Sequence, residues 1–256
     1  DLGKGNFSIL NFYDRRIRRI LPALFLVIIF SSLASWMIFV PSDMESFSES
    51  IIYVLTFTSN FFFWLENDYF DPAAEYMPLL HTWSLAVEEQ FYILFPLFMI
   101  LVFKLNRFLI LFICFLLLVF SLFISNFASL AEKSYSFYLL PTRGWEILIG
   151  VIAALFIKEN LYSKNYYLNE FLSLFGISLI VISIFTIDSS DSHPGFFTLI
   201  PTLGTFLIIY SSSYSRFIKQ ILSIKVLVFI GLISYSAYLW HYPILAFVKY
   251  TNIFGA

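Results

Sequence analysis

Long apolar runs, separated by short polar connections, follow one another along the whole chain. A helix that crosses a bilayer needs about 20 consecutive apolar residues, and seven stretches approach that length. The predicted crossings are Ile20–Val40, Leu85–Phe103, Phe108–Ser125, Tyr138–Ile157, Glu170–Ile187, Phe196–Ser212 and Val226–Val248. An eighth apolar stretch, Ser50–Leu65, is shorter and has acidic flanks. The pattern therefore predicts an all-α, polytopic transmembrane helix bundle.

Basic residues in the connections decide the predicted orientation, because cytoplasmic loops are enriched in lysine and arginine. Four arginines precede the first predicted crossing and place that end in the cytoplasm: Arg15, Arg16, Arg18 and Arg19. All later basic loops fall on the same side only if Ser50–Leu65 does not cross. We therefore expect this stretch to be re-entrant or to lie along the outer interface, which is allowed where protein covers the backbone. The acidic residues near it then face outward: Asp43, Glu45, Glu49, Glu66, Asp68, Asp71 and Glu75.

Composition supports the membrane assignment and excludes several classes of protein. Hydrophobic residues make up 60% of the 256 residues and charged residues only 12%, with 33 phenylalanines, which is far more apolar surface than a soluble domain needs. We expect a multi-pass protein of the inner or plasma membrane, with the lipid bilayer as its constant partner. The net charge of −2 gives no indication of nucleic-acid binding. The single cysteine, Cys114, lies in an apolar run, which argues against a disulfide framework and a thiolate metal cluster.

The arginine cluster lies in the segment FYDRRIRRILPAL, at the mouth of the first predicted crossing. One interpretation is a topology signal, which needs only positive charge. The other is a phosphate site, because guanidinium groups bind phosphate through two parallel hydrogen bonds and stay charged at any working pH. The cluster contains no lysine, which slightly favours the phosphate site. Asp14 is a candidate ion-pair partner for one of the arginines.

Ionisable residues also fall in the outer half of the predicted bundle: His81, Glu88, Glu89, Arg143, Glu146 and His241. A charge at bilayer depth costs about 2.5–3.5 kcal/mol on insertion scales, so these groups must be paired, hydrated or shallow. One interpretation is a structural ion-pair network, with a pair such as Arg143 and Glu89. The other is a reaction site, which explains why all of these groups lie on one side.

Helical spacing relates several of these residues to one another. His81, Glu88 and Tyr92 are seven and four residues apart and therefore share one helix face. The helical rise separates His81 from Glu88 by about 10 Å along the axis, so any histidine–carboxylate pair must form between helices. Arg143 and Glu146 are three residues apart and can pair on one face.

Four motifs carry a resemblance to a known family. They are FYDRRIRRILPAL, LLHTWSLAVEEQFYILFPL, LLPTRGWEILIG and ISYSAYLWHYPIL, and their order and approximate spacing resemble those of the acyltransferase-3 family of integral membrane acyltransferases. The chain is similar to the O-acetyltransferases that modify lipopolysaccharide O-antigen, peptidoglycan or exported polysaccharide. The resemblance covers nearly the whole chain. The arginine motif alone is a weak signal, whereas HTWSLAVEEQFY is a specific one.

The resemblance implies transfer of an acyl group, usually acetyl, from cytoplasmic acyl-CoA to a hydroxyl of an extracytoplasmic glycan. Acetyl-CoA is then the donor, its phosphates are held by the four arginines, and no metal is expected. The expected catalytic residues are Glu88, Glu89, His81, Glu146 and His241. Glu88 is favoured over its neighbour because it shares a face with His81. The residues expected to hold the sugar are Trp83, Tyr92, Arg143, Trp145 and Tyr238.

The sequence departs from the family pattern at both ends. Members have an earlier helix with an Arg or Lys and, ten residues later, a histidine thought essential for transfer. That helix, the one after it and the last helix after YLWHYPIL have no counterpart in residues 1–256. We therefore expect an interior portion of a longer protein, a partial domain that is inactive alone. The alternative is a non-enzymatic glycan or lipid transporter or flippase, since intramembrane charges also mark transport paths. The acceptor, the acyl length and the oligomeric state are left open.

Overall fold

The computed structural model describes residues 7–66, 72–161, 163–188 and 193–251. These residues form α-helices, turns and a 3₁₀ turn at Pro72–Tyr76, and no strand is found among them. Six helical segments are long and apolar enough to cross a membrane: Ile9–Ile38, Thr82–Val102, Arg107–Ala131, Lys133–Lys158, Tyr166–Thr186 and Lys225–Thr251. The prediction of an all-α, multi-pass membrane bundle is confirmed.

The described helices agree closely with the predicted crossings. In chain order they are α1 (Ile9–Ile38), α2 (Pro41–Leu55), α3 (Ser59–Glu66), α4 (Thr82–Val102), α5 (Arg107–Ala131), α6 (Lys133–Tyr138), α7 (Leu140–Lys158), α8 (Tyr166–Thr186), α9 (Leu199–Ser211), α10 (Arg216–Leu222) and α11 (Lys225–Thr251). The predicted crossing Phe196–Ser212 corresponds to α9. With 13 residues, α9 covers about 20 Å of an apolar core that is roughly 30 Å thick. Seven crossings is therefore approximately right.

Helix α1 begins eleven residues before the predicted crossing and contains the whole arginine cluster. Ser8 caps it, because the side-chain oxygen accepts a hydrogen bond from the amide of Asn11 at 3.3 Å and satisfies a donor of the first turn. The arginines therefore lie on a helix rather than in a loop. Successive side chains on a helix point about 100° apart, so the cluster cannot present all its members to one surface.

The stretch Ser50–Leu65 is broken rather than continuous. α2 ends at Leu55 and α3 begins at Ser59, and between them Phe57 has a φ of 54°, a left-handed conformation that interrupts a helix. The eight residues of α3 cover only about 12 Å. No single helix of this stretch is long enough to cross, which agrees with the prediction of a segment that does not span. The predicted outward-facing residues Asp68 and Asp71 lie outside the described residues.

The chain divides into two compact units. The first is Asp1–Phe103 with Leu232–Ala256, and the second is Lys104–Gly231. Within the described residues, the first unit contains α1 to α4 and the later part of α11. The second contains α5 to α10 and the first turns of α11.

Side-chain contacts fix the register of the helices in the first unit. The Tyr13 hydroxyl donates to the carbonyls of Tyr92 and Ile93, each at 3.4 Å, and Arg16 contacts Glu89. Residue numbers rise along α1 as they fall along α4, so the two helices are antiparallel. The Tyr235 hydroxyl donates to the Ile20 carbonyl at 3.1 Å, and Tyr250 packs on Phe39 with ring centroids 4.6 Å apart. Residue numbers rise along both helices between these two contacts, so α11 runs parallel to α1.

Small residues allow close packing in the second unit. The Ser121 hydroxyl donates to the Pro141 carbonyl at 2.6 Å and its oxygen accepts from the Trp145 amide at 3.0 Å, which joins α5 to α7. α8 and α9 cross at Gly176 and Gly204, where a Cβ on either residue would lie 2.7 Å from the carbonyl oxygen of the other. Glycine at such a crossing lets two helix backbones approach without side chains between them.

Candidate active site

One buried ion pair joins α1 to α4. Arg16 Nη1 lies 3.4 Å from Glu89 Oε1, with side-chain exposures of 25% and 10%. The guanidinium also lies over the ring of Tyr92, where the aromatic face attracts a cation. The Nε of Arg16 is buried and has no hydrogen-bond partner among the described residues. Arg16 is therefore committed to the interior of the first unit.

The two adjacent carboxylates have different surroundings. Glu89 is buried against Arg16, whereas Glu88 is exposed and its Oε1 accepts a hydrogen bond from the Tyr92 hydroxyl at 2.8 Å. Tyr92 thus lies between a carboxylate at its hydroxyl and a guanidinium at its face. The expectation that Glu88 and Tyr92 share a face is confirmed.

The separation of the polar groups onto two membrane surfaces was wrong for Arg16. We expected the arginines at the cytoplasmic surface and the carboxylates in the outer half, but Arg16 and Glu89 are in contact. The reason is the early start of α1, which places Arg16 within the helical bundle beside α4. The suggested pair of Arg143 with Glu89 is also wrong. Arg143 pairs instead with Glu146 at 2.9 Å, as the three-residue spacing predicted.

The other arginines of the cluster remain exposed. Arg18 makes two hydrogen bonds to Asp14, at 2.9 and 3.0 Å, which confirms the suggested partner. Arg15 and Arg19 are exposed and form no ion pair among the described residues. The forks of Arg15 and Arg19 are open to a phosphate. Arg18 bonds Asp14 through Nε and is otherwise exposed, so these three arginines are left for the expected donor site. Arg16 does not fit it, because its guanidinium is already occupied.

A second cluster surrounds His81, the residue that directly precedes α4. The His81 side chain is buried, with 5% of the residue exposed. Its ring is stacked on Tyr242, with centroids 5.5 Å apart, and lies edge-on to Tyr238 at 5.4 Å and to His241 at 5.6 Å. All three partners belong to α11. The structure therefore brings together His81, Tyr238 and His241 from two predicted motifs.

Hydrogen bonds hold this cluster together. The Tyr238 hydroxyl donates to the His81 carbonyl at 2.6 Å and lies 2.5 Å from the Ser84 hydroxyl. His241 Nδ1 lies 2.5 Å from the Tyr238 carbonyl in its own helix. These bonds fix the backbone of His81 and do not involve its ring nitrogens. Neither nitrogen has a hydrogen-bond partner of normal geometry among the described residues.

The surroundings of His81 keep its ring neutral. Burial, and then the nearby charge of His241, lower the pKa of His81 to about 3, although the carbonyls of Pro78 and Leu239 act in the opposite direction. A neutral imidazole offers one donor and one acceptor. It can orient a hydroxyl group, and it takes up a proton only where negative charge develops beside it. No carboxylate among the described residues contacts this ring.

The remaining predicted residues make contacts of their own. In the second unit, Arg143 donates to the Phe137 carbonyl at 3.0 Å as well as to Glu146. Trp145 is completely buried, so the expectation that it offers a stacking face to a sugar needs correction: its ring can only contribute to packing. Trp83 is partly exposed on the first turn of α4, close in sequence to His81.

The comparison with protein families now decides the class. The model described as "Acyltransferase domain" matches residues 2–255. The chain belongs to this acyltransferase family. The resemblance drawn from the four motifs is therefore confirmed.

The acyltransferase has relatives of known sequence. It is 32% identical over 261 residues to the O-acetyltransferase OatA of Staphylococcus aureus, an alignment that covers 94% of the chain and 42% of the relative. It is 34% identical over 227 residues to an uncharacterized protein of Haemophilus influenzae, covering 84% of the chain and 92% of that protein. The acyltransferase thus spans about two fifths of the length of OatA. No solved structure matches it significantly.

Sequence reasoning missed three tyrosines of the acyltransferase. Tyr13 bonds the backbone of α4, Tyr242 stacks on His81, and Tyr235 bonds the backbone of α1. Tyr235 also lies within electrostatic range of Glu88 and Glu89. A usable signal was present: Tyr235 and Tyr242 lie in the same motif as Tyr238, and a phenol at membrane depth needs a hydrogen-bond partner.

Proposed function

We propose that this acyltransferase domain moves an acetyl group from acetyl-CoA, bound from the cytoplasm, to a hydroxyl of a glycan outside the inner or plasma membrane. The family match supports acyl transfer. The name of the OatA relative supports acetyl as the group and oxygen as the accepting atom. Six long apolar helical segments support a multi-pass location.

The observation that carries this proposal is the neutral, buried His81 beside Tyr238 and His241, whose ring nitrogens make no well-aligned hydrogen bond among the described residues. A buried polar atom without a partner is costly, so the site is prepared for a polar group that arrives from outside the fold. The acceptor hydroxyl suits it: one ring nitrogen accepts the hydroxyl proton while the oxygen attacks the acyl carbon. The carbon–sulfur bond of the thioester then breaks, and the proton passes to the leaving CoA thiolate. His81 and His241 are then catalytic residues.

The carboxylates divide between two roles in this proposal. Glu89, held by Arg16, is a positioning residue that fixes α1 against α4. Glu88 is exposed and bonded only at one oxygen among the described contacts, which leaves its other oxygen for the substrate or for a proton. Glu146 is tied to Arg143 and serves as a further candidate in the second unit.

The donor is held by the exposed members of the arginine cluster. Arg15, Arg18 and Arg19 present guanidinium groups that suit the phosphates of CoA. Lysine at these positions keeps the charge but loses the bidentate geometry. We therefore expect Arg15→Lys and Arg19→Lys in the full-length protein to weaken acetyl-CoA binding without changing membrane insertion. Equal affinity in both variants and the wild type would remove these residues from the donor site.

An acetyl-transfer assay distinguishes the proposed enzyme from the transporter alternative. Membranes that contain the full-length protein are supplied with acetyl-CoA labelled in the acetyl group, and label in the cell-surface glycan is measured. We expect His81→Gln to reduce transfer by about 10²–10⁴-fold, the usual range for a lost acid–base group, with unchanged abundance. His193→Gln is the matched control, because that ring lies in a loop, where its Nε2 is 3.1 Å from the Asp188 carbonyl. Unchanged transfer in His81→Gln, or unlabelled glycan with the wild type, would overturn the proposal.

A further inference from the structure

A separate cavity lies in the first unit, among α2, the turn that precedes α4 and the end of α11. Its volume is about 220 Å³, below the ~300 Å³ at which pockets for drug-sized ligands begin. The size suits one ring rather than an extended molecule. Six of the residues that line it carry the inference: Phe39, Asp43, Ser46, Phe47, Tyr76 and Tyr250.

Aromatic rings form much of the cavity wall. Tyr76 is 44% exposed and lies edge-on to Tyr250, with centroids 6.2 Å apart. Phe39 packs against Tyr250 at 4.6 Å and against Phe47 at 6.1 Å. The Tyr76 ring therefore presents an accessible face that is held in place by a rigid aromatic group. An apolar face of a ligand ring can stack on it.

Two polar residues, Asp43 and Ser46, also line the cavity. Asp43 accepts hydrogen bonds from the hydroxyls of Tyr250 at 2.7 Å and Ser42 at 3.3 Å. A carboxylate has about four acceptor sites, so Asp43 can accept further hydroxyls. Ser46 follows one helical turn later, and its hydroxyl makes no hydrogen bond among the described residues. The cavity thus combines an aromatic face with an acceptor and a hydroxyl.

The charge of the cavity limits what it can hold. Asp43 is a negative group in its lining, and the exposed Glu45 and Glu49 lie on the same helix. Glu75, close in sequence to Tyr76, is paired with Lys249. A phosphate or carboxylate would be repelled by Asp43. A bare acyl chain would cover that carboxylate without filling its remaining acceptor sites. A neutral ring with hydroxyl groups satisfies both requirements.

The cavity is next to His81. Pro78 and Leu79 form part of its lining, and the turn between them and His81 is closed by a bond from the Thr82 amide to the Leu79 carbonyl at 3.0 Å. Three residues span at most about 10 Å, so the backbone of His81 lies within that distance of the cavity lining. We propose that this cavity binds one neutral pyranose ring of the acceptor glycan, adjacent to the ring that receives the acyl group. The identity of the occupant as the acceptor rests on the proposed function.

Binding is measured without any catalytic step. The full-length protein is placed in nanodiscs, because glycoside detergents would compete, and saturation-transfer NMR is recorded with methyl glucopyranoside, with its uronic acid methyl glucuronide and with decanoate. We expect transfer to methyl glucopyranoside and a signal at least fivefold weaker for the glucuronide. Asp43→Asn should bring the two signals closer, because it removes the repulsion and keeps an acceptor oxygen. Stronger binding of decanoate than of the glucoside, or equal binding of the two sugars, would overturn the proposal.

Variants of one exposed residue locate the binding. Tyr76→Ala should weaken methyl glucopyranoside binding about tenfold and raise the KM for the acceptor by a similar factor, whereas Tyr76→Phe keeps the aromatic face and stays near the wild type. Tyr167→Ala is the matched control, since Tyr167 is an exposed tyrosine of the second unit. Glucoside binding that Tyr76→Ala does not change would overturn the site. If the wild type transfers no acetyl group, the proposed function fails. Loss of glucoside binding in Tyr76→Ala would still support the sugar site in that case.

Discussion

The Arg16–Glu89 pair predicts strong energetic coupling between α1 and α4. Glu89→Gln leaves a guanidinium that is only 25% exposed without its counter-charge, and Arg16→Met leaves a carboxylate that is 10% exposed. Removal of one partner from a buried ion pair costs about 3–5 kcal/mol. The remaining exposure of Arg16 and the 3.4 Å separation lower the expected cost of each single substitution to about 2–3 kcal/mol.

The double substitution separates pairing from simple loss of contacts. In Arg16→Met with Glu89→Gln, no uncompensated charge remains, so we expect a total loss of about 1–2 kcal/mol. The sum of the two single effects exceeds this loss by about 3–4 kcal/mol, which is the coupling energy of the pair. The comparison uses four proteins: the wild type, both single variants and the double variant.

Thermal unfolding of the full-length protein in nanodiscs measures these differences. A destabilisation of 1 kcal/mol lowers the Tm of a domain of this size by about 2–4 °C, so each single variant should melt about 4–12 °C below the wild type. Asp14→Asn is the matched control on the same helix, since its partner Arg18 is exposed, and it should leave the Tm unchanged. If the double variant melts as low as the sum of the two single effects, Arg16 and Glu89 are not coupled and the register of α1 on α4 is wrong.

Three further predictions concern single positions. Gly176→Ala places a Cβ 2.7 Å from a backbone carbonyl and should cost about 1–3 kcal/mol, whereas Gly150→Ala meets no atom within 4 Å and should not lower the Tm. Tyr92→Phe removes the bond to Glu88 and should cost about 1 kcal/mol in Tm measurements; an unchanged Tm would make that bond irrelevant to stability. The pKa of His81 is lowered to about 3 in the folded protein, so as the pH falls the unfolded chain is protonated at His81 before the folded one. The free energy of unfolding should therefore fall by about 2–3 kcal/mol as the pH drops from 7.5 to 4.5. His81→Gln should flatten this pH dependence.

The sequence was sufficient to predict the helices and the contacts within them. Apolar run length located the crossings, and a spacing of three residues located the Arg143–Glu146 pair, because both depend on local geometry. The distribution of basic loops predicted that Ser50–Leu65 does not cross, and the break at Phe57 agrees with that prediction. The start of α1 was missed, since charged residues among FYDRRIRRI resemble a loop although the helix continues through them.

Contacts between helices could not be predicted in the same way. The pairing of Arg16 with Glu89 depends on how far α1 slides along α4, and hydrophobic patterns do not specify that register. The burial of Trp145 depends likewise on Ser121, a residue of another helix that accepts a hydrogen bond from the Trp145 amide. A tryptophan in an apolar motif gives no sign of whether its face will be open.

The bond between Tyr238 and the His81 carbonyl has a consequence for how the protein is made. The two residues are 157 positions apart, and a ribosome adds about 5–20 residues per second, so His81 waits about 8–30 s for its partner after it has been synthesised. During that interval α4 has left the ribosome, while the wall formed by Tyr238, His241 and Tyr242 does not yet exist. The histidine pocket is therefore completed only after α11 has been made. A nascent chain that stops before α11 can insert its earlier helices but cannot enclose His81.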